Sequence, residues 1–232
     1  EFAGRGHQVT KFRLNANDNF AVDPEKYVRS VLDSSADTAV LISPNNPDGY
    51  LIPASDLEWI LSKLENLRTV VVDESFVHFA NLPTTEDSLP TLTGLTSQFS
   101  NVTVIKSMSK DFGVAGIRAG YAVMQPDRVD QLLESGYLWN TSGMAEYFFS
   151  LFDRPAFLSQ YRQELAQYKG FIDKFTLATS KFDFVDVYET SANFQLMKMP
   201  EHVSAEVVAA LLLLRHGIYV RSCGDKIGLD GE

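Results

Sequence analysis

The amino-acid sequence predicts an α/β protein in which a mainly parallel sheet flanked by helices is followed by part of a second, smaller α/β unit. Three observations predict it. Apolar runs of strand length occur at 38–42, 69–72 and 102–105, and segments with helical spacing or helix-cap residues lie between them. Each run breaks at its carboxyl end into a loop of proline, glycine, serine or acidic residues. With 232 residues, 45% of them hydrophobic, the chain is long enough for one large domain or a domain and a half.

In chain order, residues 8–14 alternate as a strand. Asp23 caps, and Pro24 opens, a helix to about residue 34. After the strand 38–42, Ser43-Pro44-Asn45-Asn46-Pro47-Asp48-Gly49 forms a loop, because two prolines and a glycine cannot continue a sheet. Ser55 and Glu58 make a capping box for a helix to about residue 67, with Leu57, Ile60, Leu61 and Leu64 on one face. The strand 69–72 then ends in Asp73-Glu74, so this strand, helix, strand unit has parallel strands and a right-handed crossover. A weak helix at 92–99 leads to the strand 102–105. A strand at 117–124 and a helix from Pro126 to about residue 135 follow. Residues 143–152 and 155–178 are helical, and the second helix is long enough to join two domains, although its pattern equally allows a plain surface helix. Strands at 184–187, 193–198 and 218–220 and a helix at 205–216 make up the tail. The expected division is a large domain over 1–153, then a connecting helix and partial small domain over 154–232.

Composition narrows the function. A net charge of -10 and a pI near 4.9 disfavour a nucleic-acid groove, so any phosphate is held locally. The single cysteine, Cys223, excludes an internal disulfide, fits a reducing compartment and reads as buried or half-buried. The longest apolar run, 207–214, is too short to span a bilayer, and the start carries no export signal, so a cytoplasmic protein is expected. The first residue is not methionine and the last follows a strand-like run, which points to a longer protein missing both ends. His7, His78, His202 and His216 lack metal-ligand spacing and read as surface or packing residues, so no metal is expected. Trp59 and Trp139 read as core. The triplets beginning at Asn101 and Asn140 match a glycosylation pattern by chance.

The chemistry concentrates in Ser107-Met108-Ser109-Lys110-Asp111-Phe112-Gly113-Val114-Ala115-Gly116-Ile117-Arg118. Hydroxyls and a guanidinium satisfy phosphate oxygens. A lysine among apolar neighbours and near another cation is pushed toward the neutral amine, the nucleophile that forms a Schiff base with an aldehyde. Taken alone, the stretch is read equally well as a solvated loop with a surface lysine. Ligands of open parallel sheets lie beyond the carboxyl ends of the strands, so Asn46, Asp73 and Lys110 can converge on one site.

The segments Asn45-Asn46-Pro47-Asp48-Gly49, Val71-Val72-Asp73-Glu74 and Ser107-Met108-Ser109-Lys110, with Arg118 eight residues on, resemble in order and spacing the pyridoxal-phosphate-dependent aminotransferases of fold type I. The nearest likeness is to the histidinol-phosphate aminotransferases and threonine-phosphate decarboxylases. The resemblance implies that Lys110 holds pyridoxal 5'-phosphate as a Schiff base and later shuttles a proton at the substrate α-carbon. It implies that Asp73 pairs with the pyridine nitrogen and that Asn46 donates to the phenolic oxygen. Ser107 and Arg118 would hold the phosphate, with Ser109 as a helper. The implied activity is transamination of an amino acid or its phosphate ester, a small-molecule substrate, by a homodimer. Decarboxylation on the same scaffold is the second reading, and cofactor binding without turnover the third. Phe76 departs from the family, which usually has a tyrosine donor to the phenolic oxygen there. The family's phosphate-capping loop lies upstream of the residues that match, and its carboxylate-binding arginine lies downstream of residue 232.

Overall fold

The computed structural model describes residues 3–82, 88–136, 141–226 and 229. Its main sheet has four strands, β1 (Thr38–Ile42), β2 (Thr69–Asp73), β3 (Val102–Ser107) and β4 (Gly120–Val123), in that spatial order. The first three are parallel and β4 runs antiparallel to β3. The mainly parallel α/β sheet expected from the sequence is therefore present. A separate antiparallel pair, β5 (Asp186–Val187) and β6 (Met197–Lys198), occupies the later part of the chain.

Helix α1 (Pro24–Asp33) starts where the cap residue placed it, with the Asp23 carboxylate accepting the Lys26 N–H at 3.0 Å. Helix α2 (Ala54–Lys63) does not use the expected capping box. Its first residue is Ala54, which puts Ser55 inside the first turn rather than before it, and the Ser55 hydroxyl turns to the Asp56 carboxylate at 3.4 Å instead. The remaining helices are α3 (Leu95–Gln98), α4 (Pro126–Glu134), α5 (Gly143–Ser150), the 25-residue α6 (Pro155–Thr179) and α7 (Ala205–His216).

Alternation along the strands builds the core. Ala39, Leu41, Val70, Val72, Val102 and Val104 share one sheet face and are buried with Tyr27 and Val28 of α1 and Leu57, Ile60 and Leu61 of α2. On the opposite face, Val40 and Ile42 are exposed. A second cluster packs Met108 and Phe112, beyond β3, against Ala145 and Phe148 of α5 and Phe157 of α6.

Several expectations are corrected. Residues 8–14 and 218–220 join no ladder among the described residues, and Phe12 and Leu14 instead lie against the core as side chains. The strand expected at 117–124 begins only at Gly120, because Ala115–Ile117 form a 3-10 turn that ends at Arg118 in the left-handed region, φ 55°. Trp59 is exposed, with the Lys63 ammonium 5.5 Å from its ring centroid. Trp139 and Asn140 lie outside the described residues. Asn101 is buried, its carboxamide donating to the Leu64 and Leu67 carbonyls at 2.8 and 3.1 Å, and Cys223 is buried as expected. Among the described residues no helix is long and apolar enough to cross a membrane.

Candidate active site

The parallel register brings the carboxyl ends of β1, β2 and β3 together. Ile42 pairs with Asp73, Asp73 with Ile105, and the Ser43 N–H donates to the Asp73 carbonyl at 2.9 Å. Asp73 and Ser107 both follow the period of two that puts their side chains on the sheet face opposite the main core. The loop after β1 carries Asn46. There the buried Asp48 accepts the Tyr50 N–H at 2.8 Å and a bond from the Asn45 carboxamide, closing the turn and leaving Asn46 exposed. Burial raises the Asp48 carboxyl above its ordinary value despite these bonds.

Ser75 ties the second strand to the third. Its N–H and hydroxyl both reach Asp73 Oδ1, at 2.9 and 2.5 Å, and its oxygen accepts the Ser107 N–H at 3.0 Å. No bond reaches Asp73 Oδ2 among the described residues. The Ser107 hydroxyl oxygen in turn accepts the Ser109 N–H at 3.2 Å, so its own proton remains available to a ligand. Arg118 arrives by way of the antiparallel β4. Gly120 pairs with Ser107, and a Cβ at Gly120 would sit 2.8 Å from the Lys106 carbonyl, so glycine permits the close approach. Met108 N–H donates to the Ala119 carbonyl at 3.0 Å, and the Arg118 guanidinium is exposed with one bond to the Ala115 carbonyl at 3.2 Å.

Lys110 is exposed, its ammonium nitrogen 5.9 Å from the Phe76 ring centroid, and this corrects the expectation of a lysine enclosed by apolar neighbours. The buried lysine of this stretch is Lys106. Its side chain is fully buried and its Nζ lies 2.6 Å from Asp111 Oδ2, which also lies 2.6 Å from His78 Nδ1. His78 Nδ1 is in addition 2.8 Å from the Tyr161 hydroxyl of α6. Burial disfavours the charged Asp111, but the His78 bond and the Lys106 charge outweigh it and hold the carboxyl below its ordinary value. Burial and the Asp111 charge push the Tyr161 hydroxyl the other way, well up.

Sequence reasoning missed this buried cluster and took His78 for a surface or packing residue. A signal was present: Lys106 shares the strand parity of the buried Val102 and Val104, and a lysine on a core parity needs an internal carboxylate. Glu74 was passed over as well. It is fully buried, accepting from the Thr91 hydroxyl and Leu92 N–H at 3.0 and 2.5 Å and from the Tyr121 hydroxyl at 3.2 Å.

Residues 1–225 match the family model described as aminotransferase class I and II, and the chain belongs to that family. It is 41% identical over its whole length to L-serine phosphate decarboxylase of Sulfurospirillum multivorans, covering 59% of that protein. Among solved structures, a decarboxylase from Sulfurospirillum multivorans superposes with a TM-score of 0.91 at 40% identity, over 99% of this chain and 64% of the other. The histidinol-phosphate aminotransferase from Clostridium acetobutylicum superposes with a TM-score of 0.78 at 26% identity, over 92% and 61%. The chain thus spans about three fifths of the length of the curated relatives it matches first. The cofactor of this family is pyridoxal 5'-phosphate. The side chains at the sheet end suit such a group: a carboxylate with a spare oxygen, two serine hydroxyls, a guanidinium and an exposed primary amine.

Proposed function

We propose that the full-length protein is a pyridoxal-phosphate-dependent decarboxylase of a short O-phosphorylated amino acid, with L-serine phosphate as the first candidate. The observation that carries this reading is the 41% identity along the whole chain to L-serine phosphate decarboxylase, against 30% over 88% of the chain to a histidinol-phosphate aminotransferase of Oleidesulfovibrio alaskensis. Transamination, the first expectation from the sequence, becomes the second reading. Phe76 supports the change of order, since the tyrosine hydroxyl usual in the aminotransferases is absent beside Lys110.

Pyridoxal phosphate, when bound, supplies an electron sink for the carbanion left as a bond to the substrate α-carbon breaks. Lys110 would be the amine that holds the cofactor aldehyde and then moves a proton at the α-carbon; Lys106 is unsuited, because its nitrogen is buried against Asp111. Asp73, whose Oδ2 is left open by the Ser75 contacts to Oδ1, would pair with the protonated pyridine nitrogen. Asn46 would donate to the phenolic oxygen, and Ser107, Ser109 and Arg118 would hold the cofactor phosphate. Residues 1–153 form the cofactor-holding domain and 154–232 the connecting helix and part of the small domain, and the full-length protein is a homodimer.

Product analysis tests the chemistry. The full-length protein, loaded with cofactor and given L-serine phosphate, is expected to release carbon dioxide and the amine left when the α-carbon takes up a proton. Formation of a keto acid with conversion of the cofactor to its amine form would instead establish transamination.

A further inference from the structure

The cluster of Lys106, Asp111, His78 and Tyr161 lies beside the proposed cofactor site without contributing a group to it. Asp111 is the residue after Lys110, and its buried carboxylate joins three parts of the molecule. Lys106 belongs to β3, His78 to the 3-10 turn Val77–Phe79 that follows β2, and Tyr161 to α6. His78 Nδ1 lies 2.6 Å from Asp111 Oδ2 and 2.8 Å from the Tyr161 hydroxyl, and since a carboxylate can only accept, a proton on Nδ1 faces both oxygens. The next residue is held too: the Phe112 ring stacks on Tyr161 at 4.0 Å and 15°. Lys106 neutralises Asp111, and His78 gives the carboxylate a direction. The same turn that carries His78 begins just after Phe76, the ring beneath the Lys110 amine.

We propose that Asp111 and His78 are positioning residues for Lys110, their buried 2.6 Å contact tying the 76–79 turn to residues 110–112 so that the Lys110 amine is presented to the cofactor in one orientation. This rests on the assignment of Lys110 as the cofactor lysine. The physical reason is that a long side chain on an exposed loop otherwise samples many rotamers, and each order of magnitude in the bound population of the competent one is a tenfold change in apparent affinity. His78→Leu removes the directing bond and leaves the Lys106–Asp111 pair intact, so it buries no unpaired charge. His78→Asn restores a donor near the place of Nδ1.

The test uses the full-length protein with pyridoxal phosphate. Cofactor affinity is measured by absorbance titration, the orientation of the bound chromophore by its induced circular dichroism, and the point of attachment by borohydride reduction and peptide mass mapping. His78→Leu is expected to bind cofactor about tenfold more weakly, with a smaller dichroic band and the adduct still on Lys110, whereas His78→Asn binds within about threefold of the parent. Unchanged affinity and dichroism in His78→Leu, or an asparagine variant no better than the leucine variant, would overturn the proposal. If His78→Leu does not fold, the double variant Lys106→Met, Asp111→Asn decides. It removes both charges but keeps an acceptor for His78, so parent-like binding is expected and lost binding counts against the proposal. An adduct absent from Lys110 in the parent protein would instead overturn the assignment of the cofactor lysine, a separate failure.

Discussion

Phe76 occupies the position where the resemblance leads one to expect a donor to the cofactor's phenolic oxygen. The ring is buried, meets Phe194 edge-on at 5.0 Å and lies under the Lys110 amine. A donor to that oxygen competes with the proton of the Lys110 link, so Phe76→Tyr is expected to lower the pH at which the bound cofactor's absorbance changes. Titration of parent and variant at the same or higher pH would place Phe76 away from that oxygen. Asp111 gives a second test. Truncation in Asp111→Ala leaves the Lys106 charge buried without its partner, a loss of about 3–5 kcal/mol in denaturant unfolding at neutral pH. The carboxyl is held below its ordinary 3.8 in the folded protein, so its stabilisation is full above that value and fades as pH falls through the lower folded one. The difference between parent and Asp111→Asn should accordingly narrow only on the acid side of about 3.8. A difference that narrows near neutrality would contradict the depressed carboxyl.

At the scale of elements, two connections hold the site's frame. Glu74 leaves β2 directly into the core and gathers the 91–92 segment and β4 through Thr91, Leu92 and Tyr121. Glu74→Ala takes the acceptor from two hydroxyls and a part-buried N–H, and is expected to cost about 3 kcal/mol in denaturant unfolding. The loop after β1 meets the later part of the chain at Gly49. Its φ is +78°, a Cβ there would lie 2.0 Å from Thr190 Oγ1, and its carbonyl accepts the Ser191 N–H at 2.9 Å. Gly49→Ala therefore meets both a backbone and a contact penalty, and a loss of about 2 kcal/mol is expected. An alanine variant as stable as the parent would mean that the two segments separate readily.

At the scale of the whole molecule, the distribution of apolar surface is uneven. The core behind β1–β3 is closed, yet on α7 Val207, Leu211, Leu213 and Leu214 are exposed, as are Ile218, Tyr219 and Val220 beyond it. Val207, Leu211 and Leu214 fall on one face of the helix by its period, and an exposed apolar surface of this kind associates in water. The 232-residue chain is expected to self-associate in sedimentation velocity at micromolar concentration, and Leu211→Lys with Leu214→Lys to reduce that association. A monodisperse monomer would show that this surface is tolerated by the chain as it stands.

Much of the frame was legible in one dimension. Strand and helix periods are local properties, so β1, β2, β3, α1 and the parallel crossover could be read from spacing, caps and breakers. Asn46, Asp73 and Lys110 could be placed at the ends of successive strands, where open parallel sheets bind ligands, and Ser107 and Arg118 stood out as side chains that satisfy phosphate oxygens. Pairing was less legible: residues 8–14 and 218–220 have the pattern of strands, but a strand exists only where a neighbour offers a ladder. Side-chain partnership was beyond reach, since Lys106, His78 and Tyr161 meet at Asp111 from positions up to 83 residues apart. Sequence determined the period of each element and the family to which the chain belongs. Only the tertiary structure decided that Lys106 is buried against Asp111 while Lys110 is exposed, because burial and ion pairing belong to the packed chain.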